Sequence, residues 1–312
     1  MITNQSIFDA SDGAAITIHS WVPNTIPKGI ILLAHGMAEY ARRYDYFADK
    51  ATEQGYAVYA PDLRGHGETA GCLKNLGYLA DHNGFVRVAL DIAEITVHLQ
   101  HMNPDIPVFL MGHSFGSFIS QYIIETRGEL FSGCILSGTR GPDPFLVIGG
   151  SILAALVSLL RGKKHPSPFL TQVSFGSYNA HITNPASFNS WLSRDECQVA
   201  AYDESPWSGF DCTAGFYRDL MKGLSIIHRK KMMPGIPKSL PILCLSGSED
   251  PVSSYGKTVT HLVNIYRSLG ITDLSYTLFE GGRHEMLNEI NREAVSTTIL
   301  QWIDNRVHGS DR

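Results

Sequence analysis

Gly112-His113-Ser114-Phe115-Gly116 is a G-x-S-x-G pentapeptide set between VFLM, which reads as a strand, and FISQYIIETR, which reads as a helix. A turn that sharp needs small residues where the backbone crowds, and it lifts the serine hydroxyl clear at the carboxyl edge of a sheet. A hydroxyl so placed can attack an acyl carbonyl, but it is a weak nucleophile alone and needs a base and an acid that orients the base. In this strand–turn–helix context the partners come in the order serine, acid, histidine. Asp250 comes just after ILCLS, in SGSEDPV, and His284 just after SYTLF, in EGGRHEM. Glu249 and Asp143 (in GTRGPDP) are the alternative acid positions. The chain has 13 histidines, and His284 combines the expected order with a strand-end location.

The same chemistry requires donors for the negative charge that develops on the carbonyl oxygen. One is the backbone N–H of Phe115, the residue after the serine. The other is expected from the loop after GIILLA, which reads His35-Gly36-Met37; Met37 N–H is the choice there.

These residues must be held by a frame, and the hydrophobic pattern predicts one. Short β-like runs fall at Ala14–Trp21, Gly29–Ala34, Tyr56–Ala60, Val108–Gly112 and Gly133–Ser137, with helix-like stretches Tyr44–Gln54, Val86–Met102 and Phe115–Thr126 among them. IILLA and VFLMG are nearly continuous apolar runs, as parallel strands covered on both faces require. The alternation stops between about 139 and 240 and resumes with Ile242–Ser246, Val259–Leu269, Ser275–Phe279 and a closing helix, Arg292–Arg306. A structureless loop of that size does not fit a compact domain. The expectation is an α/β core, 1–138 and 241–312, interrupted by a helical cap, 139–240.

Composition narrows the classes. With 44% hydrophobic and 18% charged residues among 312, the chain has the apolar surface for a full core and is not disordered. Asp and Glu (30) exceed Lys and Arg (25), which argues against nucleic acid as a partner. Five widely spaced cysteines with no C-x-x-C point to reduced thiols rather than a disulfide or zinc framework. MITNQSIFDASDG lacks the basic and apolar regions of a secretory signal, so a cytoplasmic location is expected.

Three other patterns carry no function. Gly65-His66-Gly67-Glu68-Thr69-Ala70 matches G-x-G-x-x-A, but the next residues, GCLKNLGYLADHNG, read as a loop and not as the helix a dinucleotide site needs. His284-Glu285-Met286-Leu287-Asn288 starts like H-E-x-x-H, but Asn288 removes the second zinc ligand. His228-Arg229-Lys230-Lys231 is a short basic run, read as a solvated helix end. No metal or organic cofactor is implied.

HGMAEYARRY, YAVYAPDLRGHGET, GHSFGS, GSEDPV and GGRHEM succeed one another at spacings that resemble an α/β-hydrolase of the monoacylglycerol lipase and lysophospholipase branch. The resemblance covers most of the chain and is weakest over 141–175. It implies the α/β-hydrolase fold and hydrolysis of carboxylic esters. It also implies that Glu39 and Arg43, on the oxyanion loop, and Tyr202, in the cap, bind the alcohol part of the substrate. Met37 stands where a smaller residue is usual and Tyr40 where histidine is common, which touches alcohol specificity rather than the hydrolytic chemistry. The alternative for Glu39 and Arg43 is that they pair with each other and brace the loop.

The expectation is therefore a serine hydrolase acting through an acyl-enzyme on a small-molecule ester with an acyl chain, a monoacylglycerol or lysophospholipid. A proline iminopeptidase-like amidase, an acyltransferase and a non-catalytic binding protein are the rivals. Leu146–Leu160 is too short for a comfortable membrane span. It is read first as a buried lining of an acyl tunnel, bent at Gly149-Gly150-Ser151, and second as an apolar face resting on lipid, with Arg161, Lys163, Lys164 and His165 at anionic headgroups. Oligomeric state is left open.

Overall fold

The structure, a computed structural model, describes residues 1–307. In chain order, strands β1 (Ile2–Asp9), β2 (Ala15–Val22) and β3 (Gly29–Ala34) precede helix α1 (Asp45–Glu53). Strand β4 (Tyr56–Pro61), α2 (Gly84–Met102), β5 (Val108–His113), α3 (Phe115–Arg127) and β6 (Gly133–Ser137) come next. The chain then leaves the sheet for four helices, α4 (Pro144–Arg161), α5 (Pro168–Phe175), α6 (Glu196–Glu204) and α7 (Ala214–Ile227). It returns as β7 (Ile242–Gly247), α8 (Lys257–Ser268), β8 (Leu274–Phe279) and α9 (Arg292–Val307).

The strands form one sheet in the order β1-β2-β4-β3-β5-β6-β7-β8. Strand β2 is antiparallel to β1 and β4, and every pairing from β4 through β8 is parallel. Alternation along β3 sends Ile30, Leu32 and Ala34 into a core shared with α2 and α3, where Ile92 and Ile119 lie. Ile31 and Leu33 face the opposite core, with Phe47 of α1 and Ile299 of α9. Both faces of the strand are thus covered, which is why its sequence is apolar throughout rather than alternating.

Strand β3 lies between β4 and β5, so the connections leaving β3 and β5 diverge to opposite sides. A crevice opens at the carboxyl ends where they part. The loops after β3 and β5 are those expected to carry the oxyanion donor and the serine.

Two expectations change. Strand β1 has no counterpart among the expected runs; it is an edge strand, exposed along most of its length, and its mixed sequence ITNQSIFD carries no alternation because neither face is buried. The Gly149-Gly150-Ser151 step does not interrupt its helix, which runs unbroken over Pro144–Arg161. Gly150 is a packing residue: a Cβ there would stand 2.5 Å from Met221 Sδ of α7. Both α4 and α5 start with a capping residue followed by proline, Asp143-Pro144 and Ser167-Pro168, whose side chains accept from Leu146 N–H and Leu170 N–H.

Candidate active site

Ser114 is the residue between β5 and α3, with φ +50° and ψ −117°. A non-glycine residue there is strained by roughly 1–3 kcal/mol, and it persists only where its surroundings hold it. Ser114 N–H donates to Ser137 O at 3.0 Å, and Ser117 Oγ donates to Ser114 O at 2.6 Å. The flanking glycines answer to crowding. A Cβ on Gly116 would stand 2.0 Å from Ala34 O, and one on Gly112 would stand 2.4 Å from Gly116 O.

His284 Nδ1 lies 3.0 Å from Asp250 Oδ1, and both side chains are buried. Asp250 Oδ1 also accepts from Val252 N–H at 2.9 Å, which fixes the carboxylate from its own loop after β7. Burial opposes charging of His284, but the charge and hydrogen bond of Asp250, reinforced by Glu285 and Glu39, outweigh it and hold the imidazole above its ordinary pKa. Its ring is flanked by His113, centroids 4.8 Å apart, and by Trp191 at 5.1 Å. Burial pushes His113 down to about 4, so that ring is neutral at working pH.

The alternative acids lie elsewhere. Glu249 is exposed. Asp143 caps α4 and pairs with Arg140 at 2.8 Å.

Met37 N–H and Phe115 N–H have no protein acceptor among the described residues. They belong to the two loops that diverge at the crevice. The loop after β3 is held by Glu39, whose Oε1 accepts from Gly36 N–H at 2.5 Å and from Tyr44 Oη–H at 2.9 Å. Its Ala38 has φ +54°.

Ser114, His284, Met37 and Phe115 all line one cavity of about 700 Å³. Leu153, Leu220, Met221 and Leu224 give it an apolar wall; Glu39, Tyr202 and Glu285 are among its polar lining. Arg43 does not line it. Its guanidinium sits behind the polar lining, with the Tyr202 ring 4.7 Å away and with Glu39 and Glu285 as hydrogen-bond partners. Glu285, Trp191 and Arg140 carry no functional signal that the sequence alone exposes. Glu285 is visible there only as part of a failed zinc motif, and nothing local tells that Arg43, 242 residues away, meets it.

The stretch 189–210 is fastened both to the loop that carries His284 and to the loop after β3. Arg283 Nη1 donates to Ser190 O and Ser193 O at 2.8 and 2.9 Å, and Glu285 N–H donates to Leu192 O at 2.7 Å. Arg194 Nε donates to Glu289 Oε2 at 2.9 Å, and Gly209 N–H donates to Ala38 O at 2.9 Å. In contrast, α4 divides. Phe145, Leu146, Gly149, Gly150 and Leu153 line the cavity, while Ile148, Ile152 and Leu159 are 60–82% exposed. The buried-lining reading of this helix therefore holds for one face only.

Comparison with known proteins agrees with this geometry. The chain is 27% identical over 303 residues to the monoglyceride lipase of Mus musculus, covering 95% of this chain and 89% of that one. It is 28% identical over 306 residues to the monoacylglycerol lipase of Mycolicibacterium smegmatis, covering 95% of each. A thermostable carboxyl esterase from Bacillus coagulans, solved in complex with glycerol, superposes with a TM-score of 0.90 at 28% identity, covering 98% of this chain and 99% of that one. The family described as serine aminopeptidase, S33, matches residues 25–291. With its mostly parallel sheet, helices on both faces and strand-end loops converging on one cavity, the chain has the α/β-hydrolase fold and belongs to the serine aminopeptidase S33 family.

Proposed function

We propose that the protein hydrolyses carboxylic esters of lipid-like alcohols through an acyl-enzyme. The observation that carries this reading is the strained Ser114 in one cavity with a buried His284–Asp250 couple. His284 takes the proton as Ser114 Oγ attacks the acyl carbonyl. Asp250 orients the imidazole and stabilises its cation, and Met37 and Phe115 N–H groups receive the oxyanion. The alcohol leaves with the proton from His284. Water, activated by the same imidazole, then releases the acid.

Residues 139–240 act as a cap over a core made of 1–138 and 241–312. The substrate class is argued from the lining. The apolar wall suits an acyl chain, with each buried CH₂ contributing about 0.8 kcal/mol. Glu39 and Tyr202 suit an alcohol that keeps free hydroxyls, and Arg43 acts on it through them. Monoacylglycerols combine both features, and two relatives are named for that substrate. The bare face of α4 rests on the lipid surface that holds such substrates. Among the described residues α4 alone is long and apolar enough to cross a membrane, at 18 residues and mean hydropathy 1.9. Its other face packs on the cap, so it lies in the interface instead.

The family's name favours one rival, aminopeptidase chemistry, and the test separates the two. Acid release is measured from monoacylglycerols, lysophospholipids and aminoacyl-anilides, with fluorophosphonate labelling of Ser114. Preference for a monoacylglycerol with label on Ser114 is expected. Preference for the anilides, or label on another serine, overturns the reading.

A further inference from the structure

Glu285 comes directly after His284, and its buried carboxylate is bidentate: Oε1 and Oε2 accept from Arg43 Nη1 and Nη2 at 2.5 and 2.6 Å. Asn288 Nδ2 adds a bond at 3.2 Å. Arg43 Nη1 also donates to Glu39 Oε2 at 2.8 Å. Glu39 in turn holds Gly36 N–H, the residue before Met37. A continuous line of charge-assisted hydrogen bonds thus joins the histidine loop to the oxyanion loop. All three side chains are 8% exposed or less, so solvent neither screens nor replaces the links.

We propose that Glu285 is a positioning residue: through Arg43 and Glu39 it sets the oxyanion loop, so that Met37 N–H and His284 are held in one fixed relation. This rests on the esterase reading above. Its physical basis is that an oxyanion donor works only if it is already aimed when charge develops. A loop whose nearest donor is backbone needs an external brace, and the brace here is anchored on the neighbour of the general base. Removing the link loosens Met37 N–H in the transition state while leaving ground-state binding in place.

The trio has a second effect. Two carboxylates and one guanidinium leave a surplus negative charge beside the imidazole. Groups facing His284 are Asp250 from the loop after β7, Glu285 from its own loop, Glu39 from the loop after β3, and neutral His113 from β5, with Arg43 beyond the carboxylates. Loss of the Glu285 charge lowers the pH at which His284 takes up its proton.

The test uses the full-length protein and a soluble p-nitrophenyl ester, with thermal unfolding to check folding. Glu285→Gln leaves Arg43 paired with Glu39, so no buried charge is stranded. It should lower kcat by about 30–100-fold, leave KM within about twofold, and move the acidic limb of kcat/KM to lower pH. Glu285→Asp keeps the charge and shortens the reach; it should return the limb to its wild-type position and recover only part of kcat. A Glu285→Gln variant within threefold of wild type, a loss confined to KM, or an unmoved acidic limb overturns the proposal. If Glu285→Gln does not fold, Glu285→Asp decides alone, and wild-type kcat in it overturns the proposal. If wild-type protein neither hydrolyses the ester nor takes fluorophosphonate on Ser114, the esterase reading fails first, and the two failures are distinct.

Discussion

The insertion between β6 and β7 contains two regions that behave oppositely. The first, α4 and α5, presents side chains such as Ile148, Ile152, Leu159 and Phe169 to the outside. The second, 189–210, is laced to the histidine loop by Arg283 and Arg194 and to the oxyanion loop by Gly209. One turns an apolar face outward while its other face lines the cavity. The other shares its hydrogen bonds with the loops that carry His284 and Met37. The difference teaches that the insertion is not one mechanical unit: part of it turns apolar side chains outward while another part is bonded to the loops that carry His284 and Met37.

The strongest way to break this comparison is at the two aspartates. Asp250 bonds His284, whereas Asp143 caps the free region. Asp250→Asn should lower kcat by on the order of 10⁴. Asp143→Asn should leave kcat nearly unchanged and stability within about 0.5 kcal/mol, because asparagine caps a helix about as well as aspartate. Steady-state kinetics on a soluble ester checks both, and a reversal would place the acid in the cap.

A smaller effect is expected at the lacing. Arg283→Leu removes two donors to the 190–193 backbone while leaving the cavity lining intact. It should reduce kcat by about 10- to 50-fold on soluble and lipid substrates alike. A loss seen only with vesicle-borne substrate would mean that the second region, too, serves the interface.

The free region predicts the converse. Ile148→Glu with Ile152→Glu should leave hydrolysis of p-nitrophenyl acetate at wild-type rate. Vesicle co-sedimentation and turnover of vesicle-borne monoacylglycerol should fall by about tenfold, because burying charge in an apolar interface is unfavourable. Equal vesicle binding by variant and wild type would remove the lipid-surface role from α4.

The smallest effect concerns the seam where the insertion returns to the core. Gly235 packs against the backbone of Glu125, whose carboxyl has no hydrogen-bond partner among the described residues, and burial pushes its pKa up to about 9. The folded state therefore holds a proton that the unfolded chain, titrating near 4.5, has lost. Its contribution to stability is complete below about pH 4.5 and drains away as pH rises toward 9. Glu125→Gln should match wild type near pH 4 and exceed its Tm by about 2–5 °C at pH 8. Thermal unfolding across that range is the measurement, and a pH-independent difference would mean that the carboxyl is ionised in the fold.

Much of the site was legible because its signals are local. The elbow glycines answer to a backbone turn a few residues long, and the strand-end positions of Asp250 and His284 come from apolar runs that a reader can see. The apolar character of α4 was equally visible, but which of its faces is covered was not, since that depends on where α7 brings Met221.

What the sequence determined by itself was the order of the core strands after β1 with the helices between them, the interruption after β6, and the residue types at each strand end. Short-range sterics and the period of hydrophobic residues encode these directly. What only the tertiary structure decided was who meets whom. It put β3 beside β5 so that two loops open one crevice, set the Trp191 ring against His284, and brought Glu285 to Arg43 across 242 positions. A buried ion pair leaves no periodic trace in a sequence. It forms because neither charge can remain unpaired once the surrounding packing has removed water.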